Sequence, residues 1–322
     1  MTQNITRAAQ AQNTAVKGML LMLLAMMLLP VMDGTAKFLS AALPVVQISF
    51  GRFFFQSLIA LFLGLFTGPG LTQIFREVTR SQLLRGVFLA VSSLLFFTAV
   101  KYLPLADAIA TFFVQPMILT VLSAIVLKEV VGIRRWLAVS LGLLGVLIVI
   151  QPGTSVFSPY SLLPLAAATS FACYLLVTRR LAGSASLLGI QFSTGLAGTL
   201  ILGSLLQVSC FQDIGLGQPV WPTAWQTLLL VVMGAISGLG HLLVVLAFNR
   251  APASLLAPIN YIEIISATLF GYFVFGEVPA ASVWVGMAFL AAGGIYITHR
   301  EHKHAKQLEK QAAAAEGSQG IA

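Results

Sequence analysis

Apolar residues run in blocks of about twenty along this chain, and the blocks are separated by short stretches that carry proline or glycine. A block of that length is what a helix needs to cross about 30 Å of hydrocarbon. Ten blocks fall at roughly 18–38, 45–67, 83–100, 106–127, 135–150, 159–178, 187–208, 224–248, 253–275 and 281–298. The pattern predicts an all-α membrane protein of about ten transmembrane helices. Pro44, Gly68-Pro69-Gly70, Pro104, Pro152-Gly153, Pro159, Pro219, Pro222, Pro252 and Pro279 punctuate the joins. The longest connections, 68–82 and 209–223, hold no soluble domain.

The polar joins repeat. Shifting the chain by 148 positions matches Ala99 with Ala247, Pro104 with Pro252, Thr120 with Thr268, Glu129 with Glu277, Trp136 with Trp284 and Gly145 with Gly293. The chain is a duplication whose copies, 18–150 and 151–298, hold five spans each. Five is odd, so the second copy is expected to be inverted relative to the first, around a central cavity, as in secondary transporters.

Composition agrees with this picture. Of 322 residues, 58% are hydrophobic and 9% charged, and the mean hydropathy is +0.94. Soluble chains typically carry about a quarter charged residues. The net charge of +8 could suggest nucleic acid, but its placement explains it otherwise. With the N-terminus inside, the 18 Lys and Arg fall almost wholly on the cytoplasmic side, Arg85 counted among them. Lys37 and Lys101 fall on the opposite side, and Arg52 falls within a span. The positive-inside rule thus puts both termini in the cytoplasm, and a bacterial inner membrane is the expected location. The first apolar run is too long for the core of a signal peptide and carries Asp33 and Lys37, so no cleavage is expected. Residues 1–17 read as a disordered leader and 299–322 as a basic, loosely ordered tail. The tail's His299, His302 and His304 are read as solvated rather than as metal ligands, and Cys173 and Cys210 have no metal or disulfide spacing.

Polar side chains in hydrocarbon are costly unless they face protein or water, so their spacing marks the helices that line a cavity. Ser49, Arg52 and Gln56 share one face of the second span, and Asp107, Thr111 and Gln115 one face of the fourth. Ser170, Tyr174 and Thr178 do so in the sixth, Ser237 and His241 in the eighth, and Asn260, Glu263 and Ser266 in the ninth. Glu263 stands near mid-span, and the repeat pairs it with Gln115. Equivalent polar groups at the midplane of inverted halves are where a transporter binds cargo or a coupling ion, although a protonated, helix-packing Glu is the plainer alternative. His241 can relay protons or simply pack. Phe112, Phe113 and Tyr261 flank these groups and suit either a flat ligand or ordinary packing. Asp33 and Arg52 lie in adjacent spans and read as an ion pair holding the first helix, or as a gate or cargo contact. Lys37 either competes for Asp33 or snorkels outward. Pro30, Pro116, Pro164 and Pro258 fall inside spans, where kinks free carbonyls. The fifth and tenth spans are nearly without polar groups, and their glycine steps (Gly142, Gly145, Gly286, Gly293, Gly294) suit close packing, including a homodimer contact.

The Pro104-to-Trp136 and Pro252-to-Trp284 blocks, their Glu129 and Glu277 hinges and Gly51-Arg52-Phe53 together resemble the EamA-type permeases of the drug/metabolite transporter superfamily, over nearly all of 18–298. That resemblance implies a five-plus-five inverted fold and alternating access. It also implies small organic cargo such as amino acids, purine-like metabolites, riboflavin or cationic drugs. Asp33-Gly34 departs from the Trp- or Asn-containing pattern of many members. A secondary transporter of a riboflavin-like heterocycle or an amino-acid-type metabolite is therefore the leading expectation, with membrane lipid and a small molecule as partners and no cofactor. A membrane-embedded enzyme would need clustered catalytic groups, and neither HExxH nor a phosphate-binding glycine loop is present. A channel is the other alternative.

Overall fold

The computed structural model describes residues 2–66, 70–126, 128, 133–154, 157–181, 183–211, 217–251, 256 and 259–292. Among these every regular element is helical. The first copy contributes α1 (Thr2–Leu39), α2 (Val45–Phe66), the short α3 (Gly70–Arg76), α4 (Arg80–Tyr102), α5 (Leu105–Phe112), α6 (Gln115–Val126) and α7 (Ile133–Ile150). A 3₁₀ turn (Pro159–Ser161) leads the second copy into α8 (Leu162–Arg180), α9 (Leu187–Phe211), α10 (Ala224–Phe248), α11 (Ile262–Phe275) and α12 (Ala281–Ala292).

Seven helical stretches are long and apolar enough to cross a membrane, and the remaining apolar blocks appear as the shorter helices Val139–Ile150, α11 and α12. The chain is a multi-pass membrane protein. The leader read as disordered is helical from Thr2 onward, continuous with the first span. Its Ala and Gln residues are good helix formers, so the helix propagates outward from the apolar core of α1. The tail, Glu129, Pro252, Pro258, Gly293 and Gly294 lie outside the described residues.

Local chemistry sets the joins. Thr79 caps α4 by accepting from the Gln82 amide at 3.3 Å, and Pro104 both ends α4 and starts α5. At the far end of α11, Gly276 adopts φ +68°, a left-handed conformation that glycine takes without penalty. Its amide closes on the Tyr272 carbonyl at 3.0 Å and that of Glu277 on Gly271 at 3.1 Å, which turns the Glu277 side chain back over the helix end.

The two copies interlock. First-copy α1 packs on second-copy α10 and α11, α2 on α9 and α10, and α4 on α8 and α9. The main core draws Met32, Ile48, Phe97 and Ile109 from one copy and Met233 and Ile264 from the other. Glycine lets the backbones approach. A Cβ at Gly195 would stand 2.8 Å from the Ser57 nitrogen and 2.9 Å from the Phe53 carbonyl oxygen, backbone atoms that cannot swing aside. Gly195→Leu is therefore expected to cost about 1–3 kcal/mol by overpacking, read as a lower melting temperature and reduced folded yield in detergent. Unchanged melting would show that α2 and α9 do not depend on this contact.

The glycine steps of the fifth and tenth spans are used inside the chain. A Cβ at Gly145 would meet the Gly286 carbonyl oxygen at 2.7 Å, one at Gly286 would meet that of Gly145 at 2.6 Å, and one at Gly142 would meet Met117. These three are consequently not free for a contact between protomers. What α7 and α12 turn outward is bulky: Leu137, Leu141, Leu144, Trp284, Val285 and Phe289.

Candidate functional site

Three polar assemblies follow one another through the depth of the bundle. The central one is built on Arg52, which is 3% exposed. Its Nε donates to Ser237 Oγ at 3.1 Å and its Nη1 donates to Ser93 Oγ, so one guanidinium ties α2 to α10 and α4. Ser237 in turn donates to Gln56 Oε1 at 2.9 Å. Gln56 donates to Gln191 Oε1 at 2.7 Å, and Gln191 to the Gly238 carbonyl at 3.2 Å, which brings α9 into the network. The Phe53 and Phe97 rings flank the Arg52 charge at 4.8 and 5.6 Å. His241 Nδ1 lies 2.7 Å from the Ser237 carbonyl oxygen one turn back along α10.

Asp33 is buried on α1 and lies within electrostatic reach of both Arg52 and Glu263, but no salt bridge joins Asp33 to Arg52. The direct ion pair anticipated between the first two spans is not formed. The arginine instead spends its directional donors on serine hydroxyls.

The second assembly lies where the fourth and ninth spans break. The fourth is interrupted at Phe113-Val114, between α5 and α6, and the ninth at Tyr261, before α11. Phe113 and Tyr261 are equivalents in the duplication, so the copies break at matching places. Their rings stack on each other with centroids 5.4 Å apart. Gln115 is the first residue of α6 and Glu263 stands in the first turn of α11, so each heads a half-helix, at its positive dipole end. No hydrogen bond joins Gln115 to Glu263; the aromatic stack does the joining. The Asn260 side-chain oxygen is buried without a partner among the described residues. The Tyr261 hydroxyl donates to the Leu290 carbonyl at 3.2 Å. Phe112 packs against Phe96 and Phe171, and so belongs to the core.

Glu263 and His241 are both half-buried.

The third assembly closes the end of the bundle read as outer. Lys37 pairs with Glu277 Oε1 and also donates to the Leu103 carbonyl at 2.6 Å. Glu277 Oε2 accepts from the Leu105 amide, at the N-terminus of α5, at 2.9 Å. A carboxylate there satisfies an amide with no helical partner and meets the favourable end of the helix dipole. The clasp joins α1, the α4–α5 turn and the segment after α11. Lys37 neither binds Asp33 nor snorkels free, because Glu277 reaches it first.

The opposite ends are tied by single hydrogen bonds rather than by an ion pair among the described residues. Arg179 donates to Ser123 at 3.4 Å, Gln82 to Ser184 at 3.2 Å, and Ser186 to Glu77 Oε2 at 2.7 Å. Burial works against ionisation of Glu77, but hydrogen bonds from Ser186 and Gln73 outweigh it and hold its carboxyl below the ordinary range.

A lateral cavity of about 590 Å³ opens near the outer end, between α2, the end of α9 and residues 218–222. Its walls include Phe50, Phe54, Trp221 and Leu230, and the amide of Gln47 there is taken up by the Val220 backbone at 2.6 and 3.0 Å. It holds none of the charged groups above.

Pattern reading had singled out Arg52, Ser237, His241, Asn260, Tyr261, Glu263 and Gln115. Ser93, Gln191 and the Lys37–Glu277 link escaped it. So did Arg85, counted with the cytoplasmic side at a span end but 1% exposed inside α4. A second polar residue one turn away marks Arg85 (Gln82) and Gln191 (Thr194), and that signal was available in the sequence.

A model of the EamA-like transporter family matches residues 16–151 and 158–299. Similar proteins include an S-adenosylmethionine uptake transporter of Rickettsia prowazekii, 23% identical over 91% of this chain and 96% of that protein. A riboflavin transporter of Vibrio cholerae is 30% identical over 74% of this chain and 78% of its own. The pseudopaline exporter CntI of Pseudomonas aeruginosa is 28% identical over 87% and 93%. A solved crystal structure superposes with a TM-score of 0.60 at 17% identity, covering 91% of this chain and 98% of that one.

Proposed function

The chain belongs to the EamA-like transporter family, and from that premise we propose that it is a secondary active carrier of a small organic metabolite in a bacterial inner membrane, with both termini cytoplasmic. Ten spans in two inverted repeats would alternate access to the central cleft. The observation that carries this reading is the pair of matched helix breaks, each followed by a polar residue at the head of a half-helix, meeting through Phe113 and Tyr261. Broken helices at a repeat interface are where carriers bind cargo and coupling ions, because the freed backbone and dipole ends face a cavity rather than lipid. Glu263, Gln115, Asn260 and Ser237 are the cargo or coupling-ion contacts in this reading, with Tyr261, Phe112 and His241 beside them. Asp33, Arg52 and Lys37 control passage on the outer side. The Lys37–Glu277 clasp supports an outward-closed form.

A riboflavin-like heterocycle and an amino-acid-type metabolite are the two cargo classes, in keeping with the named cargoes of the relatives. Self-association through the fifth and tenth spans would have to use their bulky outer faces. Proteoliposome counterflow tests the proposal with labelled S-adenosylmethionine and labelled riboflavin. Saturable exchange of either is expected. Conductance without saturation would replace it with a channel, and chemical conversion with an enzyme.

A further inference from the structure

Two guanidinium groups lie inside this bundle without a carboxylate at ion-pair distance. Arg52 is 3% exposed and Arg85 1%, and among the described residues the salt bridge formed is Lys37 with Glu277. Arg85 donates from Nη2 to the Ile190 carbonyl at 3.0 Å and to Thr194 Oγ1 at 2.7 Å, both on α9. The Tyr174 ring lies under its charge at 5.8 Å, and among the described residues its buried Nε has no partner. Every directional contact of the two groups is thus to a neutral atom, although a cation far from water is costly unless an anion comes to it.

The two groups converge on one region. Ser237, which accepts from Arg52, and Ile190, whose carbonyl accepts from Arg85, are the chain neighbours of Gly238 and Gln191, and Gln191 donates to the Gly238 carbonyl at 3.2 Å. Arg52 is tied to Ser93, eight residues beyond Arg85 on α4, a rise of roughly 12 Å, so the arginines reach that region from two depths. The region has room. A Cβ built at Gly238 would find no atom within 4 Å, and His241 and Gln191 beside it are partly exposed.

We propose that the space beside Gly238, between Arg52 and Arg85, binds a carboxylate or like anionic group of the cargo, and that Arg85 is the residue that selects for it. The guanidinium fork offers planar, charge-assisted donors that suit such a group, and the approach from two depths suits an organic anion of several atoms better than a lone ion. Of the two cargo classes, the choice falls on the carboxylate-bearing, amino-acid-type metabolite over an uncharged flavin. The proposal rests on the transporter reading only for the word cargo; the binding site stands by itself.

The test uses the purified full chain in detergent and matched ligand pairs: S-adenosylmethionine and its methyl ester, L-methionine and its amide, with riboflavin as the uncharged heterocycle. Binding is expected from a carboxylate member and at least tenfold weaker from its masked partner. Arg85→Gln should weaken it at least tenfold. Because Arg85 also ties α4 to α9, Gly238→Val is the second variant. It fills open space, so it should keep the unliganded melting temperature while weakening binding to a similar degree. Equal affinity for a masked partner, riboflavin as the sole ligand, no binding by any member, or unaltered binding in both variants would overturn the proposal. Counterflow on the same compounds separates the two readings. Carboxylate binding without exchange would sink the transporter and leave this site standing, and exchange of riboflavin alone would do the reverse.

Discussion

Glu263→Gln is expected to reduce saturable counterflow at least tenfold, a loss of roughly 1.4 kcal/mol or more, while the protein still inserts and elutes as the wild type does. The substitution keeps the shape and the hydrogen-bonding reach of the side chain. It removes the ability to carry a charge or hand over a proton. A carboxylate used only to pack α11 would tolerate that change, because a glutamine makes the same contacts. Glu263 is placed for more than packing. It follows the helix break directly and keeps part of its surface accessible. An acidic group inside a membrane span is costly to keep charged, which makes it responsive to a cation or proton entering beside it. Wild-type counterflow at every pH from acidic to alkaline in the Gln variant would remove Glu263 from the mechanism.

Breaking the Lys37–Glu277 clasp should have the second large effect. Glu277→Gln leaves an amide that can still accept from Leu105 but can no longer neutralise Lys37. The pair is only partly exposed, at 14% and 21%, so the loss should exceed that of a surface pair and amount to about 1–3 kcal/mol of the closed form. The readout is accessibility. With Cys173 and Cys210 replaced by serine, a cysteine put at Thr111, which is buried on α5 below the clasp, should react at least fivefold faster with a membrane-impermeant maleimide applied outside. Exchanging the charges, Lys37→Glu with Glu277→Lys, should slow labelling again but not fully, since a lysine cannot accept from the Leu105 amide. Labelling that stays the same in Glu277→Gln would mean that these residues do not hold the outer side shut.

Much of this was legible from residue order because membrane helices obey a simple rule: apolar length gives the span, and polar residues at intervals of three or four give the inward face. Arg52, Ser237 and His241 were found in that way and lie together. What escaped depends on neighbours that the sequence does not list. Lys37 looked like a partner for Asp33 because they share a helix turn, but Glu277, 240 positions away, is brought to it by the left-handed turn at Gly276. Arg85 stands at the end of its span and is counted with the cytoplasmic side, and only the packing of α9 over α4 shows it to be interior. The breaks in the fourth and ninth spans were hinted at by Pro116 and Pro258 but not located by them, because proline is tolerated in membrane helices wherever neighbours resatisfy the backbone.

The stacked pair Phe113 and Tyr261 has one more implication. Flat ring faces are held by contact rather than by fixed donors, so they can shear a little without breaking a bond. In the carrier proposed above, the pair would serve as a bearing on which the two halves rock.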